Sequence, residues 1–363
     1  MMISNKEGGA PPCAHTALFA THHPAGDTPC DVCVANSVTT PPANFPILIG
    51  TSGYDYPEWK GVFYPEDLKR KDFLAYYATQ FNALELNNTF YSMPTAEKLL
   101  SFYERSGGLL QFSIKANRLL THEIDRNWQA AASDFIKAVG PLAEKGCLCA
   151  LLFQFPQSFH YTDQNRIYLA KIIAEFQGFP VVIEFRHVEW IKESVLRGLD
   201  QRKSSLCFCD MPQLKALPDG KTIKAPFIGP IAYIRLHGRN ADAWYSKAAD
   251  STKAAAIASV ESSANLAASA SVESSANFAA TANGESSARI VTSANFESSA
   301  NFKSSANPAS ARYIYDYSDS ELAEFVPIIQ NAIITGRKPV VFFNNHPNGS
   351  GAKNAGKLRE LLQ

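Results

Sequence analysis

Eight short and nearly unbroken apolar runs punctuate this 363-residue chain. They are Pro46–Ser52, Ala83–Thr89, Leu110–Lys115, Cys147–Phe155, Val181–Arg186, Ser205–Asp210, Ile231–Gly238 and Val340–Asn345. A continuous apolar run of this length reads as a strand covered on both faces, which parallel sheets require. Helical stripes fill most of the gaps. Phe73, Leu74, Tyr77 and Phe81 recur on one face, as do Trp128, Ala131, Phe135, Val139 and Leu142. A third stripe, Leu322, Phe325, Val326 and Ile329, opens at Ser318 and Glu321, spaced as a capping box. One connection departs from the pattern. Pro212, Pro218, Pro226 and Pro230 stand between the sixth and seventh runs, so the sixth helix is expected to be short or missing.

Two segments lack such patterning. Residues 1–45 are rich in Pro, Gly, Thr and Ala and read as a disordered N-terminal extension. Residues 246–312 hold 20 Ala and 17 Ser in 67 positions, and ESSA recurs every 12 residues from Glu261 through Glu273 and Glu285 to Glu297. Solenoid units are longer and stack an apolar face, so this block reads as a low-complexity insertion. What remains, 46–245 plus 313–363, is about 250 residues, the usual size of one (β/α)8 barrel. The expected fold is therefore α/β, a single TIM-like barrel. An open doubly wound sheet would carry a Gly-rich nucleotide fingerprint, which is missing here.

Charge then narrows the function classes. Lys+Arg and Asp+Glu both number 34, which argues against a broadly basic coat for polyanions. Hydrophobic residues at 46% can fill a large core, yet no run is long enough to span a membrane. The opening MMISNKEGG does not resemble a signal peptide, and seven scattered cysteines do not form a secreted disulfide framework. A soluble, cytoplasmic protein is the expectation.

In such barrels the chemistry sits at the carboxyl ends of the strands. Those ends deliver Ser52 and Tyr54, then Glu85, Asn87 and Tyr91, then Lys115, then Gln154. Beyond them come Glu184, Arg186 and His187, then Asp210, then Arg235, His237 and Arg239, and finally Asn344, Asn345 and His346. Trp59, Trp190, Trp244 and Tyr245 stand in the loops just past the strands.

Six motifs along this frame resemble one family. They are GTSGYDYPEWKGVFYP (50–65), ELNNTFYSMP (85–94), FSIKAN (112–117), IEFRHVEW (183–190), YIRLHGRN (233–240) and FFNNHPNGSGAKNA (342–355). Together they look like the YecE-like family, domain of unknown function 72. The resemblance implies a TIM-like barrel and brings no settled reaction. Family members pass from the strand-seven WY to a YxYxYS segment through a short loop. Here Trp244-Tyr245 and Tyr313–Ser318 are separated by the Ala/Ser block.

Several readings of the strand ends stay open. Glu85 and Glu184 could act as acid and base, with His187 and Asp210 as further catalytic candidates. Glu85, Glu184, His187, Asp210, His237 and His346 are residue types that hold Zn²⁺ or Mn²⁺, although Arg186 and Arg235 would repel a divalent metal. Lys115, Arg186, Arg235 and Arg239 suit a carboxylate or phosphate. Tyr54, Trp59, Tyr91, Trp190, Trp244 and Tyr245 could stack on a sugar or base. Asn344 and Asn345 open a loop and helix start of the kind that holds phosphate. Cys147/Cys149 and Cys207/Cys209 are each expected to point to one barrel face as small buried residues. Cys13, Cys30 and Cys33 with His15, His22 and His23 make a weak zinc motif. The expectation is a hydrolase- or isomerase-like enzyme acting on a polar, anionic ligand. The alternative is a non-catalytic binder of nucleic acid or of a phosphorylated ligand.

Overall fold

The computed structural model describes residues 47–218, 227–244 and 308–363. The strands and helices alternate as β1 (Leu48–Ser52), α1 (Phe73–Gln80), β2 (Ala83–Leu86), α2 (Ala96–Arg105), β3 (Gln111–Lys115), α3 (Trp128–Glu144) and β4 (Leu148–Phe155). The chain continues through α4 (Asp163–Glu175), β5 (Val181–Phe185), α5 (Glu193–Gln201), β6 (Ser205–Leu206), β7 (Phe208–Asp210) and β8 (Ile231–Leu236). It ends with α6 (Asp319–Ala323), α7 (Phe325–Ile334), β9 (Lys338–Phe343) and α8 (Ser350–Leu361). All strand pairings are parallel, in the order β6-β5-β4-β3-β2-β1-β9-β8-β7.

β6 and β7 are two halves of the sixth apolar run, parted at Cys207. One half pairs with β5 and the other with β8, so the two ends of the order meet and the sheet curls into a nearly closed barrel. The Cys207 amide still donates to the Ile183 carbonyl at 2.8 Å, and Ser205 Oγ accepts from the Ile231 amide at 2.9 Å across the break.

Period-two alternation explains the unbroken apolar runs. Ala83, Ala150, Leu152, Val182, Tyr233, Val340 and Phe342 fill the barrel interior. Their neighbours Leu84, Leu151, Ile183, Ile234, Val341 and Phe343 face the helices. Both faces are dry, and each large side chain so buried contributes roughly 1.5–3 kcal/mol. Gly50 is required by close approach, since a Cβ there would lie 1.9 Å from the Ala83 carbonyl oxygen.

The helical stripes are met in detail. Phe73, Leu74 and Tyr77 are buried on α1, and Trp128, Phe135, Val139 and Leu142 on α3. Ser318 and Glu321 form the capping box of α6. Among the described residues no helix lies between β7 and β8, as the prolines imply; positions 219–226 fall outside the description. One expectation needs correction. Cys147 and Cys149 do not share a face, because the β3–β4 register shifts between Phe112 and Ser113 and inserts one residue. Cys147 thus joins the helix-facing core while Cys149 enters the barrel, whereas the Cys207 and Cys209 sulfurs do meet, at 3.7 Å.

The extension 1–45 with its Cys and His residues, Tyr245 and most of the Ala/Ser block lie outside the described residues. The flanks of that block are close together: the Trp244 and Tyr313 rings are 6.5 Å apart, and Asn240 Nδ2 donates to the Ala311 carbonyl at 3.2 Å. Flanks this close can be joined by a short connection. A chain lacking residues 246–307 is therefore expected to fold with an unchanged circular dichroism spectrum and a melting temperature within a few degrees of the full chain. Loss of cooperative melting would show that the block is part of the fold.

Candidate functional site

The barrel mouth is organised by one guanidinium. Arg235 occupies the inner face of β8, two residues above Tyr233, and its side chain is 2% exposed. Its Nη2 donates to Glu85 Oε1 at 2.6 Å and its Nη1 to Glu184 Oε2 at 2.7 Å. It thereby ties β2 to β5 across the barrel. Glu85 also accepts from Ser52 Oγ and from the Tyr233 hydroxyl, both at 2.7 Å. Glu184 uses its other oxygen to accept from Arg186 Nε. Burial opposes ionisation of Glu184, but Arg186 and Arg235 outweigh it and hold the carboxyl well below the usual range. The two carboxylates expected to serve as acid and base thus have every oxygen engaged, and Glu184 stays ionised.

The next layer hangs on this one. Arg186 Nη2 donates to His237 Nε2 at 3.1 Å, so His237 must accept there. Its other nitrogen, Nδ1, then carries the proton, and Asn344, 2.9 Å away, must turn its amide oxygen toward it. Burial, with Arg186 and Arg235 close by, keeps the His237 imidazole neutral. Glu184, Cys209 and His237 hold donor atoms within 4.8 Å of one another. Arg186 already bonds the carboxylate and the imidazole, so a metal ion there would have to displace a guanidinium.

Lys115 shares the inner face of β3 with Ser113, whose hydroxyl meets Tyr233 OH at 2.6 Å. The lysine ammonium lies 4.5 Å from the centre of the Phe90 ring. Among the described residues no carboxylate reaches it as an ion pair. Burial first, and Arg235 next, pull its amine down to about 7, although Glu184 and Glu85 act in the opposite direction. Aromatic groups rim this layer. Tyr313 is 6.0 Å from both the His237 and His346 rings, Tyr56 stacks on His346 at 4.7 Å, and Trp244 is 6.0 Å from the Arg186 guanidinium. Tyr91, just past β2, is 63% exposed.

Other candidates are placed elsewhere. Asp210 and Arg239 bind one another at 3.0 Å, and Arg239 continues to Glu321 and Glu324, bracing the end of β7 against α6. Tyr317 joins them by donating to Asp210 at 2.6 Å. His187 is half-buried and groups with the exposed His160 and Glu189. Trp59 is fully buried with its Nε1 on the His346 carbonyl, and Trp190 is stacked between Phe159 and Phe185. Tyr54 packs on Tyr77 and Phe102. Asn345 is tied by its Nδ2 to Tyr315 and Asn354, while Asn87 keeps a buried Oδ1 with no partner among the described residues.

Sequence reasoning missed Tyr56, Phe90, Tyr233 and Tyr313. Counting back two from Arg235 would have placed Tyr233 on the inner face; Tyr313 was masked by its position at the edge of the Ala/Ser block.

A nearly closed parallel β/α barrel with an arginine-centred ion network at the strand carboxyl ends defines an α/β-barrel protein with a polar mouth. The chain belongs to the family described as Protein of unknown function DUF72, whose model matches residues 48–363. UPF0759 protein YunF of Bacillus subtilis (strain 168) is 26% identical over 216 residues, 54% of this chain and 72% of that protein. UPF0759 protein YecE of Escherichia coli (strain K12) is 24% identical over 189 residues, 49% of this chain and 64% of YecE. A DUF72 family structure from Thermotoga maritima superposes with a TM-score of 0.62 at 25% identity, covering 87% of this chain and 98% of the other. One from Enterococcus faecalis gives 0.60 at 21% identity, covering 87% and 95%, and bears on the fold alone.

Removing Arg235 strands two buried carboxylates. Arg235→Met is expected to destabilise the protein by roughly 3–5 kcal/mol in urea unfolding, and adding Glu85→Gln and Glu184→Gln to recover much of the loss. His237 and His346 give a pH dependence. Burial lowers His346 to about 4 from 6.5, and His237 also falls well below 6.5. The folded chain then binds fewer protons than the unfolded one, so this stability is whole above the unfolded value and disappears as pH falls through the folded values. Between pH 7 and 5 the contribution of these two histidines to the unfolding free energy should drop by roughly 2–4 kcal/mol, with His346→Gln flattening part of the slope.

Proposed function

We propose that the barrel mouth is the active site of an enzyme acting on a small anionic molecule bearing a carboxylate or phosphate. The observation that carries this reading is Arg186. Its Nε and Nη2 are committed to Glu184 and His237, but among the described residues Nη1 has no partner, and the side chain is 14% exposed. A guanidinium locked on two edges offers the third in a fixed direction, which suits an oxyanion better than a mobile lysine does.

Charge balance supports the same reading. Glu85 and Glu184 are offset by Arg235 and Arg186, so a protonated Lys115 is one cation in excess, and an incoming anion supplies the missing counter-charge. Acid–base work falls to Lys115 rather than to the two glutamates, because a group titrating near 7 can both give and take a proton at neutral pH. This favours isomerase-like proton transfer over a carboxylate-pair hydrolysis. The nucleic-acid alternative has less support. All four tryptophans are buried, and of the candidate stacking rings among the described residues Tyr91 is the exposed one.

Thermal denaturation with inorganic phosphate, pyruvate and a single-stranded oligonucleotide tests the proposal. Millimolar phosphate or pyruvate is expected to raise the melting temperature of the wild type by a few degrees and to leave Arg186→Met unmoved. Equal responses of both proteins, or no response to either anion, would overturn it. Stabilisation by the oligonucleotide alone would favour the binder.

A further inference from the structure

Lys115 is the one mouth cation without a carboxylate partner among the described residues. Arg235, Arg186 and Arg239 each hold at least one at 3.2 Å or closer. A lysine placed this way gives up hydration without gaining a salt bridge, and packing does not explain the loss, since a Met or Leu would fill the same space over Phe90. Its setting is that of a nucleophile. It stands at the carboxyl end of β3, half-buried, with its nitrogen held above a ring face and Arg186 as the nearby anion holder.

We infer that Lys115 is an imine-forming amine, and that the substrate class is a small oxo acid or an aldehyde bearing an anionic group. The inference rests on the anion-site reading, with Arg186 taking the anionic end and Lys115 the carbonyl. In the step itself, the Nζ lone pair adds to the carbonyl carbon and a proton passes from nitrogen to oxygen, giving a carbinolamine. Loss of water, which carries away the carbonyl oxygen and both amine hydrogens, leaves the C=N double bond. Nothing is oxidised or reduced. Protonation of the imine gives a cation whose counter-charge is the anionic group of the substrate itself.

The surroundings are consistent with an amine that is uncharged part of the time at neutral pH. Arg235 of β8, Arg186 and Glu184 of β5, and Glu85 of β2 all act on Lys115, and His122 beyond β3 and His237 beyond β8 feel its charge in turn. The two arginines and burial outweigh the two carboxylates, so the free-base form is accessible at neutral pH.

The test is reductive trapping. Full-length protein is incubated with pyruvate or glyoxylate and sodium cyanoborohydride, and the adduct is located by peptide mass mapping. The expected result is one adduct per chain on Lys115, at least about tenfold above any surface lysine, and its loss in Lys115→Met and in Lys115→Arg. Competitive acetylation of the wild type supplies a second readout. Labelling at Lys115 should rise about tenfold from pH 6 to 8 and then level off, whereas an ordinary lysine climbs about 100-fold with no plateau. Pyruvate stabilisation that depends on Arg186 without an adduct would overturn the imine and leave the anion site standing. Absence of both would overturn both, and an adduct scattered over surface lysines would also defeat the imine.

Discussion

Everything at the open end of this barrel depends on the Arg235 guanidinium and the two carboxylates it binds. β2 and β5 are separated in the sheet by β3 and β4, so no backbone ladder fixes their ends relative to one another. Arg235, reaching from β8, does so through Glu85 and Glu184. Moving three charges out of water costs several kcal/mol per ion, and replacement by apolar residues often stabilises such a core. The network is better understood as a positioning device. Glu184 aims Arg186, Arg186 fixes the protonation of His237, and His237 orients Asn344 at the end of β9. A single buried cation thus sets the state of side chains on or just past four strands, β2, β5, β8 and β9.

The same arrangement separates roles that composition alone would merge. The mouth contains acids and bases in comparable number, and most of them neutralise one another. Asp210 and Arg239 brace β7 against α6, while Glu85 and Glu184 hold Arg235. Among the described residues few polar groups of the mouth are left over: one edge of Arg186, the Lys115 amine and the Oδ1 of the half-buried Asn87.

The barrel was legible because its signal is physical and repeated: eight runs apolar on both faces, amphipathic helices between most of them, and a proline-rich gap with no helix among the described residues. The polar strand ends were legible too, since Glu85, Glu184, Lys115 and Arg235 interrupt those runs. Their partners were not. Whether a carboxylate two strands away is a catalyst or the counter-ion of an arginine depends on side-chain reach across the barrel, which linear spacing does not carry. Trp59 and Trp190 illustrate the same limit. A tryptophan just past a strand can rim a mouth or plug the space under a loop, and only the packing around Phe159, Phe185 and Tyr56 decides. The Cys147/Cys149 pair failed for a different reason, a one-residue register shift, which reverses a side chain without leaving any mark in composition.

The break at Cys207 has a consequence for motion. Closure of the barrel relies on two residues of β6 and three of β7, joined to their neighbours by short ladders, with no helix among the described residues to cover the turn that follows. Elsewhere each strand has at least one ladder of four or more paired residues. The cylinder therefore has a seam, and local breathing will start there while the other strands stay paired. Both faces of that seam bear on the mouth, for β5 carries Glu184 and β8 carries Arg235. A barrel that opened along this line would loosen its ion network from one side, as a clasp does.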